Sequence, residues 1–173
     1  MTPTPTHVLG VDPGVKGALC LLNCNTRAIV VFDMPTSNGQ VDPRALAAAI
    51  DAALFSAGAK PAEVHGAIEN VNGRPRQAHV FAFGLSTGIV HGVLGAMGIR
   101  FSLVQPAQWK SACGLRRGVN ETQASTKARA RELAVKLWPE HAAEFYRVKD
   151  DGRAEAALIA RYFANICIDN KKK

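Results

Sequence analysis

The sequence predicts an α/β fold, a mixed five-stranded sheet flanked by helices. Three observations predict it. Three short apolar runs, residues 7–11, 18–23 and 28–34, follow one another across short gaps, which is the pattern of an antiparallel meander. Helix and strand patterns then alternate, with further short apolar runs at residues 64–69 and 100–104. The remainder of the chain is helical in pattern, which supplies the layers that cover such a sheet.

Taken in order, HVLGV (residues 7–11) is the first strand, and PGVKG is a turn leading into the second, ALCLLN. AIVVFDM (residues 28–34) is the third. Asp42 is a fitting N-cap for a helix DPRALAAAIDAALFSAG, with Pro43 in its first turn and Gly58 as its stop. VHGAIE (residues 64–69) is the fourth strand and ends in an acid. Residues 70–77 form a loop, and a helix follows over residues 79–97. Gly84, Gly88 and Gly92 recur every four residues in it and share a face. Glycine costs about 1 kcal/mol in a helix interior, so this row implies close approach of another helix or subunit. Residues 100–104 are the fifth strand. A short helix over residues 106–113, a basic loop over 114–120, a long helix over 121–137 and a final helix over 151–168 complete the chain.

The 173 residues imply one domain, with residues 1–6 and 169–173 as loose ends. No apolar stretch has transmembrane length and no signal-peptide pattern opens the chain, so a cytoplasmic protein with no membrane partner is expected. The four cysteines match no zinc spacing and read as reduced. Net charge is +7 and regional: residues 70–137 hold ten basic residues against Glu121 and Glu132, so +8 lies in that half and about −1 in the rest. A polyanion partner, most simply nucleic acid, follows from that asymmetry.

Four acids stand where acids are costly. Asp12 ends the first strand and Glu69 the fourth; Asp151 and Glu155 lie four apart on one face of the last helix. Singly, each has a plain reading: a turn former, a partner for Arg74 or Arg76, a helix cap, a first-turn acid. Jointly, if the first and fourth strands are neighbours, they form an acidic cluster. Clustered carboxylates repel, and a hard divalent ion, Mg²⁺ or Mn²⁺, relieves this. Two such ions about 4 Å apart activate a water and stabilise the leaving oxygen in phosphodiester cleavage.

GVDPGVKGAL, AIENV, FAFGLSTGIVHG, VQPAQWK and DDGRAEAALIA, in that order from residue 7 to residue 161, resemble the RuvC-type Holliday junction resolvases. The branch they are most similar to is the phage-like and chloroplast-like one. The resemblance implies an RNase H-like fold, a homodimer, two metal ions per site, and resolution of four-way DNA junctions by paired symmetric nicks that leave a 5′-phosphate. On that pattern the catalytic and metal-binding residues are Asp12, Glu69, Asp151 and Glu155, with Asp150 a less fitting substitute for Asp151. Two departures stand out. Asn72 occupies the position where the housekeeping bacterial enzymes carry a junction-wedging aromatic, and the last two acids are four apart rather than three.

Arg74 and Arg76 are candidates for holding the strand beside the cut, and Lys110, Arg116, Arg117, Lys127 and Arg131 for contacting backbone phosphates. Lys16 reads as a turn lysine, Trp109 as core packing, Ser86 as a packing residue, and His79, His91 and His141 as unconnected with metal. Other functions compete with junction cleavage. They are a nuclease of structured RNA on the same fold, similar to the YqgF branch, and a non-catalytic nucleic-acid-binding module, which predicts a decayed acid set. A sugar-kinase-like site needs phosphate loops and a second lobe for which 173 residues leave no room.

Overall fold

The computed structural model describes residues 5–70 and 80–169, with the backbone alone for 168 and 169. Its main sheet is built from β1 (His7–Asp12), β2 (Ala18–Asn23) and β3 (Ile29–Asp33) in sequence. After a two-stranded ladder, β4 (Thr36–Ser37) and β5 (Gln40–Val41), come α1 (Pro43–Ala57), β6 (Val64–Glu69), α2 (Val80–Ala96) and β7 (Arg100–Val104). The chain continues through α3 (Pro106–Ala112), α4 (Gln123–Leu137) and α5 (Asp151–Asp169). The five-stranded sheet has the order β3-β2-β1-β6-β7. The pairs β3–β2 and β2–β1 are antiparallel, and β1–β6 and β6–β7 are parallel. The mixed sheet flanked by helices is the RNase H-like α/β architecture.

Alternation along the strands sorts the side chains onto two faces. Leu9 and Val11 of β1, Leu19 and Leu21 of β2, and Val64 and Ile68 of β6 pack with Leu46, Ile50, Val90 and Leu94 of α1 and α2. Val8, Ala18, Cys20, Leu22 and Ala67 pack with Trp109, Ala130, Phe145 and the alanines of α5. Both faces of β1 are covered, which is why its sequence reads as a continuous apolar run. Burial of several such side chains at about 1.5–3 kcal/mol each is the main force holding the layers together.

The alanine face of α5 permits unusually close packing. A Cβ at Gly10 would lie 2.1 Å from the carbonyl oxygen of Ala156 and 2.6 Å from the backbone nitrogen of Ala160. A Cβ at Gly152 would lie 2.9 Å from the carbonyl oxygen of Lys16. Glycine at these two positions brings the start of α5 against the β1–β2 turn.

The Asp42 side chain accepts hydrogen bonds from the backbone N–H groups of Arg44 and Ala45 at 2.9 and 3.0 Å, and Gly58 ends α1 at φ 63°. The helix expected from residue 121 starts two residues later. Thr122 is its N-cap, accepting from Ser125 N–H at 3.1 Å, while the Glu121 carboxylate turns back to Gly118 N–H. The β4–β5 ladder is absent from the sequence reading, although Asn38 and Gly39, both at positive φ, form the hairpin dipeptide that signals it. Thr6, within the expected loose leader, is tied by backbone bonds to Glu63 and Cys24. Gly84, Gly88 and Gly92 have no atom within 4 Å of an added Cβ, so the close approach inferred from their spacing does not occur among the described residues.

Candidate active site

Period-2 alternation decides which face each strand-end acid takes. Asp12 follows Val8 and Gly10 on the face toward α5, and Glu69 follows His65 and Ala67 on that same face. Val11 pairs with Ile68 in the parallel β1–β6 register, so Asp12 and Glu69 are the next residues at the same strand ends. The ring stack of His65 on Phe163, with centroids 4.8 Å apart, and the Gly10–Ala156 approach hold α5 across both strands. Glu155 is thereby delivered to the strand ends.

Three acids from three elements therefore share one electrostatic neighbourhood. Burial pushes the Asp12 carboxyl up to about 7, with Glu155 and then Glu69 adding repulsion; a hydrogen bond from Gly14 N–H and the charge of Lys127 oppose this. Glu69 is nearly fully buried and also held above the usual carboxylate range. Burial is the larger cause and Glu155 the next, against Lys110 and the Trp109 hydrogen bond. A buried cluster of like charges calls for positive charge, and cations have been brought to it. Lys110 Nζ lies 3.4 Å from Glu155 Oε1 and 4.0 Å from Glu69 Oε1. Lys127 Nζ is 3.4 Å from Asp151 Oδ2, and Arg131 pairs with Asp151 Oδ1.

Asp150 and Asp151 divide clearly. Asp150 is buried and accepts from Arg147 through its backbone N–H, Nε and Nη2, closing the short turn before α5. Asp151 faces Lys127 and Arg131 on α4, and both it and Asp150 border an open cleft of about 710 Å³ with Asp12, Lys16, Lys149 and Glu155. A second groove of about 590 Å³ is lined by Lys110, Arg116, Arg117 and Gln123. Arg129 staples the loop between them, donating to the carbonyls of Gly114 and Arg116 and pairing with Glu121. Arg74, Arg76, Asn72 and His79 lie outside the described residues.

The donors are oxygens only, which suits a hard divalent ion. As the side chains stand, no three acids, histidines or cysteines among the described residues converge closely enough to hold one. The cations listed above engage Glu69, Asp151 and Glu155 instead.

Sequence reasoning missed two features here. Lys149 at the cleft is one; nothing in its local pattern distinguishes it from a solvated lysine. The other is the Trp109 Nε1–H, which donates to Glu69 Oε1 at 2.9 Å. Trp109 is fully buried, as its core reading requires, and it is also a polar neighbour of the acid cluster. Ser86 is a packing residue as expected, donating to the Ala82 carbonyl. His91 stacks on Phe101 away from the acids.

No family model matches the chain, and no curated protein matches it. Among solved structures, it is similar to Thermus thermophilus RuvC in complex with Holliday junction substrate, at 16% identity over 92% of this chain and 96% of that one, with a TM-score of 0.57. A second structure of Thermus thermophilus RuvC gives the same values. The yeast mitochondrial Holliday junction resolvase Ydc2 is 18% identical, over 99% of this chain and 82% of that one, with a TM-score of 0.52. The likeness at these identities is one of fold. No described helix is long and apolar enough to cross a membrane.

Proposed function

We propose that this chain is a metal-dependent, structure-selective DNA endonuclease that resolves four-way junctions by paired nicks. The observation that carries this is the electrostatic coupling of Asp12, Glu69 and Glu155, acids from β1, β6 and α5, of which Glu69 is buried and the other two partly so. The fold shared with a protein solved on a Holliday junction supports DNA as the substrate. Asp12, Glu69, Asp151 and Glu155 would hold two Mg²⁺ ions, with Mn²⁺ as a substitute. Bound there, the ions supply activation of the attacking water and neutralisation of the leaving oxygen.

The chain's own residues do the rest. Glu69 is buried at 4% exposure, so the field of its carboxylate stays strong. Lys110 pairs with Glu155, and Lys127 and Arg131 pair with Asp151; with ions held there, the same three side chains would be available to substrate phosphates. Arg116 and Arg117, on the open groove, would contact the backbone beyond the cut, and Arg74 and Arg76 keep the strand-holding role that their sequence neighbourhood to Glu69 gives them. The homodimer needed for paired nicks has a ready face on α2. Phe81 and Leu85 are exposed there, at 84% and 37%, beside the open row of Gly84, Gly88 and Gly92. The reaction belongs in the cytoplasm, on the nucleoid or on phage DNA in its host.

The test is cleavage of a mobile four-way junction against linear duplex and structured RNA with Mg²⁺, comparing the wild type with Asp12→Asn. Junction cleavage by the wild type and a loss of at least a hundredfold in the variant are expected. Equal activity in the variant overturns the metal site, and preference for RNA replaces the substrate.

A further inference from the structure

We propose that Trp109 is a positioning residue for Glu69, an inference that rests on the metal-site reading above. The indole Nε1–H has a single donor and no acceptor function, and it donates to Glu69 Oε1 at 2.9 Å. Both residues are buried, so the bond is a charge-assisted one in a low dielectric, where neither partner has water to replace it. The ring cannot swing away. Trp109 sits in α3, which Pro106 opens after β7, and its faces pack into the cluster that holds Ala67, Leu115, Ala130 and Phe145.

Lys110, the next residue, reaches the same oxygen at 4.0 Å and lies 4.9 Å over the Trp109 ring. Both of these contacts are to Oε1. Trp138, the other tryptophan, shows the ordinary alternative, since its Nε1–H donates to the backbone carbonyl of Arg27, far in sequence from any of the four acids. The indole holds the Glu69 carboxylate in one orientation. Removing an outer partner of a metal ligand typically costs 10- to 100-fold in metal affinity, and that is the effect expected of Trp109.

The experiment measures Mn²⁺ binding, with the metal alone and the full chain, by calorimetry in a double-mutant cycle of Trp109→Phe and Glu69→Ala. Trp109→Phe is expected to weaken Mn²⁺ binding about tenfold or more in the wild-type background and to have no further effect once Glu69 is gone. An equal loss in both backgrounds makes Trp109 a packing residue and overturns the proposal, as does an unchanged Mn²⁺ affinity in Trp109→Phe. A wild type that binds no Mn²⁺ overturns the metal site itself, and the positioning role with it. A second measurement does not use the Trp109→Phe variant. In ¹⁵N-labelled wild type, one of the two indole N–H resonances should move on Mg²⁺ addition, and it should be the resonance that Glu69→Gln displaces. If Mg²⁺ moves neither resonance, or moves the other one, the proposal fails.

Discussion

Asp12 is costly to ionise where it stands, and that has a stability signature. Its carboxyl is raised to about 7 in the folded chain, against about 3.9 for an unfolded aspartate. Between those values the native state binds a proton that the unfolded chain has lost, so metal-free stability falls as pH rises through the window. Asp12→Asn lacks this loss. In chelator, the variant should match the wild type near pH 4 and exceed it above pH 7 by on the order of 4 kcal/mol, read from urea titrations at each pH. Mg²⁺ should close the gap by stabilising only the wild type. A gap that does not change with pH would mean that Asp12 is not the strained group. Of the four acids read as costly, Asp12 and Glu69 were legible as such from their places at strand ends. The groups that answer Glu69 were not, because Lys110 and Trp109 come from a helix some forty residues beyond it in sequence, and only packing brings them to it.

At the scale of elements, the decisive contact is between β1 and α5. Gly10 has no room for a Cβ against Ala156 and Ala160, and the atoms in the way are backbone and a short side chain that cannot move aside. Gly10→Ala should therefore lower stability by about 1–3 kcal/mol through forced separation of strand and helix. Because β1 carries Asp12 and α5 carries Glu155, junction cleavage should drop more than the folded fraction does. Thermal melts beside single-turnover cleavage separate the two effects, and a variant that loses both in step would argue against α5 as a site-setting element. The glycines of α2 make the opposite forecast. With nothing near them in the chain, Gly88→Ala should raise the stability of a monomer by up to about 1 kcal/mol through helix propensity. If a second copy packs its backbone there, the same change weakens the dimer. Sedimentation of wild type and variant across a concentration series reads this directly; a wild type that stays monomeric while cleaving junctions fully removes the paired-nick arrangement. The recurrence of these glycines was visible in the sequence, and their spacing correctly implied one shared face. That the face is open could be learned only once α1 and the sheet were seen to cover the other side of α2.

For the molecule as a whole, charge is layered. The acids lie at the strand ends, a first rank of cations engages them, and a second rank, Arg116 and Arg117, lines the open groove beyond. Contacts of that second rank to phosphates release counterions, at about 0.9 in the log–log salt slope per phosphate on duplex DNA. Replacing Arg116 and Arg117 together by alanine should weaken junction binding uniformly across sequences and flatten the salt slope by up to about two, measured by anisotropy of a labelled junction. An unchanged slope would confine DNA contact to the other cleft, where Lys16 and Lys149 stand.

The sequence by itself determined the five strands of the main sheet, its flanking helices, and the placing of Asp12 and Glu69 at strand ends. Strand alternation, caps and apolar periodicity are local properties, and they act over a few residues. It also marked the basic half of the chain, since charge is counted without coordinates. Tertiary structure alone decided that β1 and β6 are parallel neighbours, that Asp150 is closed off by Arg147 while Asp151 faces α4, and that the Trp109 indole meets Glu69. Those outcomes depend on contacts between residues far apart in the chain. Their geometry is set by how closely Gly10, Gly152 and the alanines of α5 let backbone approach backbone.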